Sequence, residues 1–308
     1  MQLTMLRPAT SADQLTLQAR PSFRDACELA AARRVAQFAT LSPGCQWLLK
    51  DIGRTSICLL ALILDASEHG LSARRLIRLA REIEMTSAGR VTLVLRRAEA
   101  LGELTVAPGL ALWTKRRLTP GRSLVDALRE RARLEFEAAA LLEPRAAAMA
   151  SALEDDGAFK ALLRALPRVL IARPRLMAPD PAADFFLQRD AGMLMLFDLM
   201  GRQLPDRERL LELAPLSRSA LSRKFGVSRA HINKLFADAA GDGLVRFAGP
   251  DELEFSPELS AAVADHLADN FGVAIEAGEI MLEEVARRGA VQDGAEAAPS
   301  PVLYGVRG

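Results

Sequence analysis

Residues 221–235 read Leu-Ser-Arg-Lys-Phe-Gly-Val-Ser-Arg-Ala-His-Ile-Asn-Lys-Leu. Leu221 and Phe225 lie four residues apart, which predicts the apolar face of a short helix. Gly226 suits a tight turn, and Ser228 is a residue type that caps the first turn of a following helix. The second helix would turn four apolar side chains toward the core: Ile232, Leu235, Phe236 and Ala239. The stretch therefore predicts two helices joined by a tight turn.

A β-hairpin is predicted directly after these two helices. Residues 245–247 and 253–255 carry apolar side chains at alternate positions, which is typical of strands with one buried face. Gly-Pro-Asp at 249–251 forms a turn between them. Upstream, Ser217 is placed to cap the first helix. Helix, tight turn, helix and hairpin is the order of a winged helix-turn-helix unit.

A weaker copy of this order lies about 140 residues earlier in the chain. Ser72 precedes one helix with apolar side chains at spacings of three and four, and Thr86 precedes a second one. The expected core positions are Leu76, Leu79, Ala80 and Ile83 in the first helix, and Val91, Val94, Leu95, Ala98 and Leu101 in the second. A hairpin is predicted from residues 104–106 and 110–114.

The similarity between the two copies extends to the segments around them. Leu-Thr-Pro at 118–120 matches Phe-Ser-Pro at 255–257, and each precedes a long helical stretch. We therefore expect a mainly α-helical protein with two tandem winged helix-turn-helix domains, small β-hairpin wings and long packing helices. The expected division is a flexible tail at 1–20, repeat 1 with flanking helices at 21–145, a linker at 146–156, repeat 2 with flanking helices at 157–289, and a flexible tail at 290–308.

These residues support two resemblances. The stretch 221–235 is similar to the helix-turn-helix signature of bacterial regulators. The first copy, at 71–121, resembles the MarR family, in Gly89-Arg90-Val91 at the start of the second helix and in Leu118-Thr119-Pro120-Gly121 after the wing. The resemblance implies DNA binding through winged helices, pairing through long helices, and transcription regulation. The chain departs from the family by carrying two units and by lacking its Asp-x-Arg at 107–112.

Composition excludes several other classes of protein. Half of the 308 residues are apolar, which indicates a folded chain, and the longest apolar run, 57–64, is far shorter than the ~20 residues of a membrane span. Without an apolar signal segment, we expect a cytoplasmic protein with no membrane partner. Three cysteines and three histidines are scattered singly, which indicates no disulfide framework, metal site or cofactor. No catalytic motif is present, so we expect no enzyme activity.

The outer face of the second helix in each unit is the candidate reader of base edges in the DNA major groove. Its residues are Ser87, Arg90, Thr92, Arg96 and Arg97 in the first copy, and Arg229, His231, Asn233 and Lys234 in the second. Arg90 and Asn233 are the best base readers, because arginine pairs with guanine and asparagine with adenine. Phosphate contacts are expected from Arg74, Arg75, Arg78, Arg81, Lys115, Arg116 and Arg117, and from Arg218, Arg223 and Lys224.

Charge is distributed unevenly although the net charge is only +1. Residues 71–117 hold ten Lys and Arg against four Asp and Glu, whereas residues 216–257 hold six against five. The first unit is therefore expected to bind phosphate more strongly. The second hairpin turn, 249–252, is acidic and would be repelled by a phosphate backbone.

Three questions stay open at the level of sequence. A tandem winged helix can be a protein-docking module that does not bind DNA. If it binds DNA, one chain can supply both heads as a pseudo-dimer, with the heads ~34 Å apart, or a homodimer can use only the first head of each chain. The apolar helices predicted at 46–65 and 191–200 build core or contribute to a site for a small-molecule effector, which the sequence does not identify.

Overall fold

The computed structural model describes residues 16–173, 179–203 and 207–296. The chain is mainly helical and contains two small antiparallel sheets. The helices of the first half are α1 (Phe23–Thr40), α2 (Pro43–Leu48), α3 (Ile52–Asp65), α4 (Ala73–Glu82), α5 (Ala88–Ala100), α6 (Arg122–Ala139) and α7 (Ala146–Ala152). Those of the second half are α8 (Asp156–Ile171), α9 (Pro181–Leu187), α10 (Gly192–Met200), α11 (Arg218–Phe225), α12 (Arg229–Gly241) and α13 (Pro257–Glu296).

Each half holds one small sheet after its helix pair. In the first half β1 (Leu104–Val106) pairs with β2 (Leu118–Pro120), and Leu71 makes an isolated bridge to Leu118. In the second half the strand order is β3 (Leu213–Pro215), β5 (Glu252–Phe255), β4 (Val245–Gly249). In both sheets the segment before the helix pair therefore pairs with the last strand of the hairpin, which is a further point of likeness between the halves.

Serine caps start the four helices of these two units. Ser72, Ser217 and Ser228 each accept a hydrogen bond from the backbone N–H three residues later, as predicted. The prediction that Thr86 caps α5 is wrong, because Ser87 does so by accepting from the Arg90 N–H. The turn before α5 is one residue longer than expected: Glu84 takes a left-handed conformation with φ 51°, and the Met85 N–H bonds back to the Ala80 carbonyl.

The second strand of the first hairpin was predicted at 110–114, and this prediction is wrong. The strand lies at β2 instead, because Leu118 is fully buried and pairs with both Val106 and Leu71. Leu110 and Leu112 are exposed and offer the sheet no buried face. Residues 107–117 form a long loop that includes a single 3-10 turn, Trp113–Lys115.

Two further helix predictions change in extent. The helix expected at 46–65 is broken into α2 and α3, because Asp51 caps α3 by accepting a hydrogen bond of 2.8 Å from the Arg54 N–H. At the other end of the chain, α13 continues to Glu296, so the first part of the predicted C-terminal tail is helical. The rest of that tail and most of the N-terminal one lie outside the described residues.

A single hydrophobic cluster runs through both halves of the chain. Helix α1 packs against α10, and α13 packs against both α8 and α6. The ring centroids of Phe38 and Phe225 are 5.8 Å apart, and those of Phe23 and Phe271 are 6.4 Å apart. The helices outside the two sheets thus hold the halves together. No helix within the described ranges is long and apolar enough to cross a membrane.

Candidate nucleic-acid interface

Helix α12 divides cleanly into a buried and an exposed side. Ile232, Leu235, Phe236 and Ala239 are buried, as predicted from their spacing. The opposite side exposes Arg229, Ala230, Asn233, Lys234 and Ala237. Lys234 pairs with Asp238 at 3.0 Å, whereas neither Arg229 nor Asn233 has a hydrogen-bonding or ionic partner within the described part of the chain. Two polar side chains on this helix are therefore free to meet a ligand.

His231 faces Asp190, between α9 and α10, and not the solvent side of α12. Its Nε2 atom lies 3.0 Å from the backbone oxygen of Asp190, and the side chain is half-buried. The sequence placed His231 with Asn233 on the outer face, whereas the structure separates the two. His231 has a partner already and is less available for DNA than Arg229.

The basic residues of α11 differ in how far they are engaged. Arg223 is exposed. Lys224 Nζ pairs with Asp198 Oδ1 at 2.5 Å. Arg218 Nη1 donates to the Pro250 carbonyl at 2.8 Å and approaches Asp251 at 3.2 Å. Arg218 therefore partly neutralises the acidic turn of the second hairpin and is held against it.

Most candidate base readers on and just before α5 already have partners, unlike Arg229 and Asn233 on α12. Val91, Val94, Leu95 and Ala98 are buried, as expected. Arg90 is about half-exposed, and its Nη2 atom lies 3.4 Å from Asp51 Oδ1. The Thr92 hydroxyl donates to the Ala88 carbonyl at 2.9 Å, and the Ser87 hydroxyl is used as the cap. Arg96 also pairs with Glu99 at 3.2 Å, so four of the five candidate base readers of the first unit have partners within the chain.

The loop 107–117 is attached to the outer face of α5 through Trp113. The indole ring stacks on the Arg96 guanidinium, which lies 3.8 Å from the ring centroid, and the indole N–H donates to Glu99 at 3.1 Å. Arg97 stays exposed, with its guanidinium 5.9 Å from the Trp47 ring. Trp113 therefore covers part of the C-terminal half of α5. This contact was not predicted, because it depends on the path of a loop.

The predicted phosphate-binding residues around α5 are partly engaged in the chain. Arg117 lies 3.4 Å from Asp65, Arg116 donates to the Ala111 carbonyl, and Arg78 lies 3.6 Å from Glu82. Arg75 donates to the Gly70 carbonyl. The exposed cations of this group that have no partner in the described segments are Arg74, Arg81 and Lys115.

Leu93 is an exposed apolar residue that the sequence reasoning missed. It lies on the outer face of α5, between Arg90 and Arg96, with 65% of its surface exposed. The signal was available, because Leu93 falls outside the apolar stripe formed by Val91, Val94 and Leu95. An exposed leucine on such a helix can make apolar contact with a thymine methyl group.

Between the two halves lies a cavity of about 60 Å³, which has room for a few water molecules. Arg34, Arg131 and His266 are among its lining residues. Burial, together with the charges of Arg34 and Arg131, lowers the pKa of His266 to about 3. No group of three or more metal-ligating side chains occurs in the described ranges.

All three cysteines are buried as free thiols. Burial raises the pKa of Cys45 to about 11, and it raises the pKa of Cys27 and Cys58 as well. Since the thiolate is the reactive form, the raised pKa values disfavour reaction of these cysteines in the folded chain.

Comparison of this chain with protein-family models, with curated proteins and with solved structures finds no match. The assignment of function therefore depends on the fold and on the side chains just described.

Proposed function

We propose that this chain binds double-stranded DNA as a MarR-like transcriptional regulator, with two winged helix-turn-helix units that act as a pseudo-dimer. The observation that carries the proposal is α12, a serine-capped helix whose inner face is buried while Arg229 and Asn233 are exposed and unengaged. A helix of this kind fits the major groove. In this proposal α5 and α12 are the two recognition helices.

The two recognition helices carry different chemistry. Asn233 can pair with adenine through two hydrogen bonds, and Arg229 can bind guanine or phosphate. Leu93 on α5 offers apolar contact to thymine. We expect phosphate groups to be bound by exposed cations that have no ionic partner among the described residues. These cations are Arg74, Arg81, Lys115 and Arg223. Because the two faces differ, the preferred site is asymmetric.

Arg90 takes part in this proposal only by exchanging partners. Its guanidinium contacts Asp51 at 3.4 Å in the free protein, so it reaches a guanine only after leaving that carboxylate. The cost of losing one ionic partner is offset by the bidentate contact that it gains. Arg229 and Asn233 need no such exchange.

A protein-docking module is the second candidate, and exposed leucines favour it. Leu110 is fully exposed and Leu112 is 70% exposed, both in the loop 107–117, and Leu93 is exposed on the adjoining α5. Exposed apolar patches mark protein contacts. The acidic turn of the second hairpin fits this candidate too, although Arg218 partly neutralises it.

Fluorescence anisotropy with random-sequence duplex DNA across a salt series tests the proposal. We expect a dissociation constant of roughly 1–100 μM that rises steeply with salt, because released counterions drive non-specific binding. The double variant Arg229→Ala/Asn233→Ala should bind random duplex about tenfold more weakly at low salt. The matched control is Lys160→Ala, which removes one exposed cation from α8 and lowers the net charge by one, as the test variant does.

Unchanged binding by the control, together with weakened binding by the test variant, supports α12 as a DNA contact. Equal losses in both variants would mean that only total charge matters and would reject α12 as a recognition helix. Absence of binding even at low salt would reject DNA binding and favour the docking module.

A further inference from the structure

Arg54 is one of the arginines that form ion pairs across the two halves of the molecule. Arg54, on α3, forms ion pairs with Asp51 of the first half and with Asp190 of the second. The Arg54 side chain is only 11% exposed. Its guanidinium lies 4.6 Å from the centroid of the Trp47 ring, which adds a cation–π contact. Arg54 is therefore held in a fixed position by three side chains.

Each of these two aspartates also contacts the first turn of one recognition helix. Asp51 Oδ1 lies 3.4 Å from Arg90 Nη2, on α5. The backbone oxygen of Asp190 lies 3.0 Å from His231 Nε2, on α12. Arg90 and His231 both stand three residues after a capping serine. Equivalent positions of α5 and α12 are thus joined through Arg54.

Lys50 makes a second link between the halves beside the first. Its Nζ lies 3.8 Å from Asp190 Oδ2 and donates to the Gly226 carbonyl at 3.3 Å. Gly226 is the left-handed residue of the turn between α11 and α12, with φ 59°. The second helix pair is therefore held to the first half at its turn, through Lys50.

The two aspartates occupy matching places in the duplicated sequence, but the arginine has no counterpart. Asp51 and Asp190 each follow a short helix that begins with proline, and each stands two residues before a glycine. The position that matches Arg54 holds Met193. One chain can therefore place a single arginine between two equivalent carboxylates.

We propose that Arg54 sets the separation of α5 and α12 by holding Asp51 and Asp190 on one guanidinium, so that the two heads read DNA at one spacing. Reading DNA at one spacing rests on the proposed function, whereas the separation of the helices does not. Arg54 is a positioning residue, because its ionic partners within the described residues, Asp51 and Asp190, lie outside both helices. A guanidinium can bind two carboxylates at once through its planar fork, whereas a lysine ammonium is a point charge on a flexible stem. Without Arg54 the two carboxylates lose the cation that they share, and each keeps its second ionic partner, Arg90 for Asp51 and Lys50 for Asp190.

Distance measurement between spin labels tests the spacing without any DNA. Labels are placed on Ala100→Cys in α5 and Ala237→Cys in α12, both exposed positions, while the three native cysteines are buried. Pulsed electron paramagnetic resonance should give a narrow distribution of distances between the two labels when Arg54 is present. In Arg54→Met the distribution should broaden and its centre should move to a longer distance.

Three further variants test whether the outcome is specific to the ion pairs of Arg54 with Asp51 and Asp190. Arg54→Lys keeps the charge and should still broaden the distribution, because the guanidinium geometry is lost. Asp190→Asn removes the ion pair between Arg54 and Asp190 at a half-exposed position. This variant provides the test if Arg54→Met does not fold. Arg164→Met removes another half-buried arginine, which pairs with Glu284 at 2.8 Å within the second half, and should leave the distribution unchanged.

Binding to duplexes in which the distance between the two half-sites is changed tests whether the heads read DNA at one spacing. In duplexes enriched from a random pool by the native protein, inserting two base pairs at the centre turns one half-site by about 70° relative to the other. We expect the insertion to weaken binding of the native protein about tenfold and binding of Arg54→Met only about twofold, each relative to the same protein on the enriched duplex without the insertion. Unchanged label distances in an Arg54→Met variant that melts like the native protein would refute the spacing role. Absence of all duplex binding would instead refute the proposed function.

Discussion

At the scale of single residues, His266 is a buried titratable side chain whose pKa is strongly lowered. It is buried on α13, and burial, with Arg34 on α1 and Arg131 on α6, lowers its pKa from 6.5 to about 3. Because the pKa is lower in the folded chain, the unfolded chain binds one more proton between about pH 6.5 and 3. This residue therefore contributes stability that is complete above pH 6.5 and is lost as the pH falls.

Urea unfolding at pH 7 and pH 5 measures this contribution. We expect the free energy of unfolding of the native protein to fall by about 2 kcal/mol more than that of His266→Gln over this interval. His69→Gln, which changes an exposed histidine, should retain the full acid sensitivity. An identical pH dependence in native protein and His266→Gln would show that His266 does not titrate in this way.

At the scale of elements, local sequence signals predicted the second unit better than the first. Ser217, Gly226 and Ser228 are local signals that the structure confirms. The turn predicted at 249–251 lies at 250–251, because Gly249 still pairs with Glu252 in the sheet. In the first unit the strand β2 depends on Leu118, which pairs with Leu71 far away in the chain. Residues 110–114 have comparable β propensity, so only the tertiary contact distinguishes the two segments.

The cap of α12 gives a prediction at this scale. The Ser228 hydroxyl accepts a hydrogen bond of 3.0 Å from the His231 N–H, so Ser228→Ala should lower the free energy of unfolding by about 1 kcal/mol. Ser219→Ala is the matched control, because Ser219 lies in α11 and caps no helix. Denaturant unfolding measures both. Equal stability of the two variants would mean that the cap contributes nothing to the fold.

In the candidate site, the buried faces of the helices could be predicted from the sequence, but the partners of individual side chains could not. The sequence predicted which sides of α5 and α12 face the core, since that depends on helical period alone. It did not predict that Arg90, His231 and Arg96 have partners, because Asp51, Asp190 and Trp113 are distant in sequence or lie across a loop. Partners of surface arginines are set by the tertiary fold, which composition does not specify.

At the scale of the whole molecule, the two halves share one core despite their similar order of elements. Phe38 of α1 packs on Phe225 of α11. The guanidinium of Arg34 lies 5.5 Å from the Phe197 ring centroid. Both contacts join the first half to the second. The predicted boundary between domains at 146–156 therefore divides the repeats in sequence, while the packing that stabilises each repeat crosses it.

This packing predicts that the halves unfold together. Both tryptophans, Trp47 and Trp113, lie in the first half, so tryptophan fluorescence reports on that half while circular dichroism reports on all helices. Phe225 is 1% exposed in the second half, and Phe225→Ala should cost about 3–5 kcal/mol. If the halves form one cooperative unit, the variant shifts the fluorescence transition and the dichroism transition to the same lower denaturant concentration. A fluorescence transition that stays in place while the dichroism transition splits would show that the halves fold independently, and Arg54 would then join two separable domains.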